Sequence, residues 1–334
     1  MAGETPSLFE VDYGDPALEA AVRAKLTEVE AALGSATTTK DPFIAEAAGY
    51  LVEAGGKRFR PLVCVLASHF GDPDRPEIVP AAVVVELTHL ATLYHDDVMD
   101  EAAVRRGVPT ANARWTNTIA ILTGDFLFSR ASDLLADLGP HAVRLQARTF
   151  ERLVTGQIQE TIGPAEGADP IAHYLQVLAD KTGSLIATSA EFGAMFAGVP
   201  ASSVAALRRF AAEIGVAFQL SDDIIDIASE SSASGKTPGT DLREGVPTLP
   251  VLYALASSAP ASERLRALVS RPIVDDDEHA EALSLLRASS AIDEARATTR
   301  AYADRARALL ADLPDVPARA AFDALCDLVV NRAG

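Results

Sequence analysis

The stretch VVELTHLATLYHDDVMD, Val84–Asp100, decides the fold class. Apolar residues run through it without the strict alternation of a half-buried strand, and it closes on Asp96, Asp97 and Asp100. A second stretch, FQLSDDIID at Phe218–Asp226, repeats the pattern with Asp222, Asp223 and Asp226. Both read as apolar helices with acidic ends. At about 100° per residue, positions four apart share a face, which pairs Asp96 with Asp100 and Asp222 with Asp226. Like charges so placed repel and weaken the helix unless a cation compensates. Hard carboxylate oxygens suit Mg²⁺, which keeps several waters and binds through one or two carboxylates plus substrate phosphate oxygens. One such cluster in an acidic chain could be a solvated helix end. Two copies, both on apolar helices, point to metal.

Working outward, alanine, leucine, glutamate and arginine dominate, while Gly and Pro fall between periodic segments. The chain therefore reads as nearly all helix. Helices are expected over Pro16–Leu33, Asp41–Ala54, Pro61–Phe70, Pro76–Glu101 and Ile119–Leu138. Further ones are expected over Pro140–Ile162, Pro170–Asp180, Gly183–Ala197 and Ala201–Ser229. Pro61, Pro140 and Pro170 sit where helices should start, because a first-turn proline loses no hydrogen bond. Beyond Thr248 shorter helical segments are expected, broken at Pro260, Pro272, Pro314 and Pro317. The Ser-, Gly-, Thr- and Pro-rich loop from Ser229 to Thr248 reads as a mobile active-site flap. With no repeat and no long linker, residues 1–334 read as a single domain, with 1–15 loosely ordered.

The chain has 334 residues, 49% apolar, and a formal charge of −18. A basic surface able to neutralise a phosphate backbone is absent, so nucleic acid is excluded as a partner. Cys64 and Cys326 lack the neighbours of a metal or redox motif, which fits a reducing cytoplasm. Met1–Glu10 lacks the basic start and apolar core of a signal peptide, and no uncharged run reaches membrane-spanning length. A soluble, cytoplasmic protein is expected.

In this acidic chain, Gly55-Gly56-Lys57-Arg58-Phe59-Arg60-Pro61 packs three cations into four positions. Arg105-Arg106-Gly107 follows the first acidic cluster. Guanidinium groups grip phosphate oxygens as a bidentate fork, so both segments read as diphosphate clamps, against the alternative of solvated basic loops. Lys181-Thr182 and Gly235-Lys236 offer further phosphate contacts. Gly235-Lys236-Thr237 is not a nucleotide P-loop, because Glu230 stands where that motif needs its first glycine. No His-Glu-x-x-His zinc pattern occurs. His95 reads as a core or hydrogen-bonding residue. His89, seven residues before Asp96 and at nearly the same angle, belongs in the pocket. On the same helix Val85, Thr88 and Thr92 form a stripe of small residues below Asp96, flanked by Val84 and Ala91. Leu87, Leu90 and Tyr94 fall opposite and should pack the core. The stripe descends roughly 18 Å at 1.5 Å per residue, room for a long ligand below the aspartates. If the small residues serve only close helix packing, that room is absent.

Taken together these segments resemble the trans-isoprenyl diphosphate synthase (polyprenyl synthetase) family from about Ala45 onward. The likeness rests on Gly56-Lys57-Arg58-x-Arg60-Pro61, Glu86-Leu87-x-His89, the first aspartate motif with Arg105-Arg106-Gly107, and Gly124-Asp125. It continues through Gly156-Gln157-x-x-Glu160, Lys181-Thr182, Phe218–Asp226, Gly235-Lys236 and Gly239-x-Asp241-Leu242-Arg243-Glu244-Gly245. Phe59, where many relatives carry leucine, is a mild departure.

The resemblance implies an all-α bundle of long helices around a deep central cavity, usually a homodimer. It implies condensation of isopentenyl diphosphate with an allylic diphosphate, and a transient membrane contact for product release. Asp96, Asp100, Asp222 and Asp226 would hold Mg²⁺, about three ions per active site, with Asp97 and Asp223 in support. Arg105, Lys181 and Lys236 would hold the allylic diphosphate, and Lys57, Arg60, His89 and Arg106 that of isopentenyl diphosphate. Thr182 and Gln219 would stabilise the allylic cation through oxygen dipoles. Catalysis then consists of neutralising the leaving diphosphate, and the proton lost after coupling goes to that diphosphate. In the family, aromatic residues four or five positions before the first aspartate stop growth at short products. Here those positions are Thr92 and Ala91, so growth to roughly seven to ten isoprene units is expected along the stripe. The alternatives are a short-chain farnesyl or geranylgeranyl synthase, a class I terpene cyclase, or a non-catalytic synthase subunit. Cyclases usually carry an Asn/Ser/Glu triad in place of Asp222–Asp226, and non-catalytic subunits usually lose the aspartates; here all six are present.

Overall fold

The computed structural model describes residues 11–228, 238–259 and 262–332. The chain begins with α1 (Pro16–Thr37), α2 (Pro42–Glu53), α3 (Phe59–Ser68) and α4 (Ile78–Met99). A hairpin of β1 (Val104–Arg105) and β2 (Val108–Pro109) precedes α5 (Ala111–Arg114), α6 (Asn117–Leu138) and α7 (Pro140–Ile162). Then come α8 (Pro170–Leu178), a π-helical turn at Ala179–Gly183, α9 (Ser184–Phe196) and α10 (Ala201–Ala228). The remainder is α11 (Thr240–Glu244), α12 (Leu249–Ala256), α13 (Glu263–Val269), α14 (Asp276–Arg287), α15 (Ser290–Leu309) and α16 (Pro317–Arg332). Asp-Pro pairs start α1, α2 and α8. Asp15, Asp41 and Asp169 accept from first-turn N–H groups, and the proline that follows brings no donor needing a partner.

The chain forms two compact units. The first takes the described residues up to Phe150 with Leu185–Ala211 and Asp312–Ala324. Here α1 buries Val22, Leu26, Val29 and Leu33, one stripe at helical spacing. α4 packs against α1, α3 and α6. Its Tyr94 is wholly buried, with the hydroxyl donating to Ala47 O at 2.6 Å and accepting from Leu51 N at 3.2 Å. By length and composition α4 could cross a membrane, but 67% of its apolar window is buried inside the protein. α9 lies tightly on α3, because a Cβ on Gly193 would overlap the carbonyl of Cys64. Phe70, Phe210 and Phe322 close this core, with ring centroids 6.0 and 4.8 Å apart.

The second unit takes Glu151–Ser184, the described part of Ala212–Ala311, and the chain from Leu325. Its core gathers Leu220, Ile224 and Ile227 of α10 with Leu178, Leu249, Leu268 and Leu286. Arg287 Nε donates to Ile227 O at 2.7 Å, satisfying one of the last carbonyls of α10.

Several expectations need correction. Helix α3 starts at Phe59, two residues before Pro61, because Arg58 is held in the left-handed region at φ 49° by its own side-chain bonds. α4 starts at Ile78 rather than at Pro76. The segment after Met99 is a hairpin whose turn residues Arg106 and Gly107 both have positive φ, the signature of a tight two-residue turn. Part of the expected flap is the short helix α11; Gly235, Lys236 and Thr237 lie outside the described residues. Pro317 begins a helix rather than breaking one, and α15 runs unbroken for 20 residues.

Candidate active site

In the first unit, α4 stops at the aspartate motif. Glu101 takes a left-handed conformation at φ 49°, Ala102 N bonds Asp97 O at 3.0 Å, and Glu101 N bonds Val98 O at 3.4 Å. This is a Schellman-type stop on a non-glycine residue. Asp96, Asp97 and Asp100 therefore sit in the last turn of α4, where the helix dipole is already negative. Asp96 is half-buried and Asp100 exposed, whereas Asp97 is fully buried. Burial pushes the Asp97 carboxyl up, opposed by the ion pair it makes with Arg105 from β1.

The basic loop divides its labour. Arg58 is 2% exposed and turned inward, bonding Glu30, Glu86 at 3.2 Å and the carbonyls of Gly55 and Val52. It fastens the loop to α1 and α4 and is no clamp. Arg60 is the opposite case: its Nε is buried without a hydrogen-bond partner, and burial lowers its pKa to about 10. The charges around it are Glu86, Arg106 and Asp96. Arg106 donates to Leu51 O at 2.8 Å and to Gly55 O. Its guanidinium lies over Gly56, where a Cβ would approach within 2.8 Å. Only glycine permits that approach, and Gly56 also has φ +141°. His89 sits among Arg60, Arg106, Arg105 and Arg58; burial first, then these cations, hold its pKa well below the ordinary value, so it is neutral. Lys57 is exposed. His95 serves packing: its ring lies over Gly124 of α6, with Nε2 3.0 Å from Ile121 O and 3.4 Å from Asp125.

In the second unit, the π-helical turn brings Lys181 and Thr182 onto α7. It fits because position 156 is glycine: a Cβ there would lie 2.6 Å from Lys181 N. Lys181 Nζ then reaches Glu160 at 2.5 Å, and Gln157 Nε2 reaches the same carboxylate at 3.1 Å. Thr182 Oγ1 lies 3.5 Å from Gln219 Oε1, and Gln219 Nε2 donates to Asp223 Oδ1 at 3.1 Å. Tyr174 of α8 donates to Asp223 Oδ2. Burial raises Asp223 to about 7 despite these two donors. Asp222 pairs with Arg332 near the end of α16 at 2.5 Å, and that guanidinium also lies 5.0 Å from the Phe218 ring.

The family described as polyprenyl synthetase matches residues 41–286, which includes every motif just placed. The chain belongs to that family. Among relatives, the nonaprenyl diphosphate synthase of Mycobacterium tuberculosis is 52% identical over 97% of each chain. A dimethylallyltranstransferase of the same organism is 42% identical over 96% of this chain and 98% of its own. Among solved structures, the geranylgeranyl pyrophosphate synthase of Corynebacterium glutamicum, complexed with calcium and isoprenyl diphosphate, superposes with a TM-score of 0.87 at 46% identity. That match covers 97% of this chain and 100% of the other. The protein is thus an all-α polyprenyl synthetase and a prenyltransferase.

In this polyprenyl synthetase the stripe below Asp96 is uneven. Val84, Val85, Thr88 and Ala91 are fully buried, while Thr92 is half-buried. Leu87, Leu90 and Tyr94 are buried in the core. Thr88 Oγ1 accepts from Gln146 Nε2 of α7 at 2.8 Å, a partner that sequence reading missed, as it missed Tyr174 and Arg332. Tyr174 carried a usable signal, since it stands seven residues before Lys181. Gln146 and Arg332 lie 58 and 110 residues from their partners, with no local trace.

Proposed function

We propose that the protein makes a long all-trans polyprenyl diphosphate by repeated addition of isopentenyl diphosphate to an allylic diphosphate, with Mg²⁺. The observation that carries this reading is the pair of aspartate motifs, each with carboxylates four apart at the C-terminal end of an apolar helix. The donor set fits a hard cation, because carboxylate oxygens cluster where the helix dipole adds further negative charge. Mg²⁺ binds through one or two carboxylates, and substrate phosphate oxygens with waters would complete its coordination. Bound ions would neutralise the diphosphate as the allylic carbon–oxygen bond breaks.

The chain's own residues do the rest. Asp96, Asp100, Asp222 and Asp226 hold the cations, and Arg105 and Lys181 serve the allylic diphosphate. Lys57, Arg60, Arg106 and neutral His89 receive isopentenyl diphosphate; the unpartnered Arg60 Nε supports this assignment. Gln219 and Thr182 turn oxygen atoms toward the cation that forms. The same reading expects a homodimer in the cytoplasm, with membrane contact at product release. The exposed Val154, Ile158 and Ile162, spaced four apart on α7, offer a face for a second copy.

The test is to incubate the purified protein with Mg²⁺, isopentenyl diphosphate and each short allylic diphosphate, and to size the products. Asp96→Ala and Asp222→Ala should each lower turnover by roughly three orders of magnitude or more with Tm retained. Near-normal turnover in either variant defeats the metal assignment. A second reading, a short-chain synthase, is favoured by the likeness to the geranylgeranyl enzyme, and products of twenty carbons or fewer would select it.

A further inference from the structure

Tyr174 is assigned nothing by the motifs, yet it ends a directed chain of hydrogen bonds. Asp223 is 6% exposed, and its two carboxylate oxygens are each taken by a different donor. The Tyr174 hydroxyl donates to Oδ2, and Gln219 Nε2 donates to Oδ1 at 3.1 Å. While Asp223 is ionised it only accepts, so both partners donate to it. The consequence falls on Gln219. An amide can be turned either way, but here its NH₂ end is committed to Asp223, which leaves Oε1 toward the Thr182 hydroxyl, 3.5 Å away. Gln219 and Asp223 lie one turn apart on α10, whereas Tyr174 comes from α8. The orientation of the amide is therefore fixed from outside its own helix.

We infer that Tyr174 is a positioning residue for prenyl transfer, holding the Asp223 carboxylate so that Gln219 presents its carbonyl oxygen and not its NH₂ group. The inference rests on the proposed role of Gln219 beside the allylic cation. An oxygen dipole aimed at a developing positive charge stabilises the transition state; an NH₂ group aimed there opposes it. Without the Tyr174 hydroxyl, Asp223 keeps one donor and can turn about its own bonds, and the Gln219 amide loses its fixed direction. The loss belongs to kcat, because the cation exists only beyond the ground state.

A double-mutant cycle on the full-length protein tests this, using Tyr174→Phe, Gln219→Ala and the pair. Tyr174→Phe keeps the ring and should lower kcat roughly tenfold or more, the scale of one charge-assisted hydrogen bond, with both KM values within about twofold and Tm nearly unchanged. The double variant should be no slower than Gln219→Ala alone, since residues that act through one another do not add. Multiplying losses, or a Tyr174→Phe enzyme with normal kcat, would overturn the inference while leaving Gln219 its role. A normal kcat in Gln219→Ala would remove both. If Tyr174→Phe fails to fold, Asp223→Asn takes its place in the cycle: an asparagine can offer its own NH₂ to Gln219 and reverse the amide. The same non-additivity with Gln219→Ala is then expected, and additive losses count against the inference.

Discussion

Arg58 and Arg60 stand two positions apart and meet opposite fates, which no reading of charge along the chain could separate. Arg58 is consumed by Glu30 and Glu86, whereas Arg60 keeps a buried N–H without a partner. What divides them is place: Arg58 precedes α3 at a left-handed φ of 49° with carboxylates of α1 and α4 in reach, whereas Arg60 lies inside the first turn of α3. The same arginines govern His89. Unfolded, it would titrate near the ordinary histidine value of about 6.5. In the native protein burial and the cations hold its pKa well below that. Below about pH 6.5 the unfolded chain takes up a proton that the folded chain refuses, so stability is intact above that pH and is lost as pH falls toward the lowered value. His89→Gln cannot take up the proton. Its Tm should therefore fall less than that of the parent between about pH 7.5 and 5.5. Parallel curves would show that His89 is not held neutral.

Helix spacing depends on glycines whose importance is invisible along the chain. Gly193 admits α3 against α9, and a Cβ there would overlap the Cys64 carbonyl, a backbone atom that cannot swing aside. Gly34 of α1 has nothing within 4 Å of the same added atom. Gly193→Ala should thus destabilise by roughly 1–3 kcal/mol through overpacking, while Gly34→Ala should stabilise by about 0.5–1 kcal/mol through helix propensity. Equal Tm shifts for the two variants would contradict this contact. The element scale also shows what was legible. Helices announced by the first-turn prolines Pro140 and Pro170 and by long apolar periods lie within a few residues of expectation, because their determinants are local. Both aspartate motifs were legible for the same reason. The hairpin and the π-helical turn were not: the first is two residues per strand, and the second exists because Gly156, some 25 positions earlier, leaves room for it. Likewise Arg105 was expected on phosphate, and its engagement with Asp97 is a tertiary contact.

At the scale of the whole molecule, a chain of charge −18 has no long-range attraction for anionic substrates, so capture must be local to its few arginine clusters. Overall likeness does not fix product length either, since relatives named for long and for short products both match almost end to end. Length must then be decided by particular side chains, and the helix below Asp96 supplies them. Ala91 is fully buried where α4 meets α6, its carbonyl 3.0 Å from the Cβ that Gly124 lacks, so added bulk there has no exposed face to occupy. Thr88 is buried and bonded to Gln146, so a phenylalanine there would also strand a buried amide. Thr92 is half-buried, and its hydroxyl donates to the carbonyl of His89 in its own helix, 2.8 Å away, with no other partner among the described residues. It is the position where bulk can be added with little disturbance to packing. The parent should make products of roughly seven to ten isoprene units, several of which the 18 Å stripe can hold, and Thr92→Phe should stop at about three or four. First-step rate and Tm should stay near those of the parent, while Thr88→Phe should shorten the product and also lower Tm. Reversed-phase sizing of radiolabelled products decides it: a parent that stops at twenty carbons, or a Thr92→Phe enzyme with unchanged products, would show that this face of α4 does not set the length.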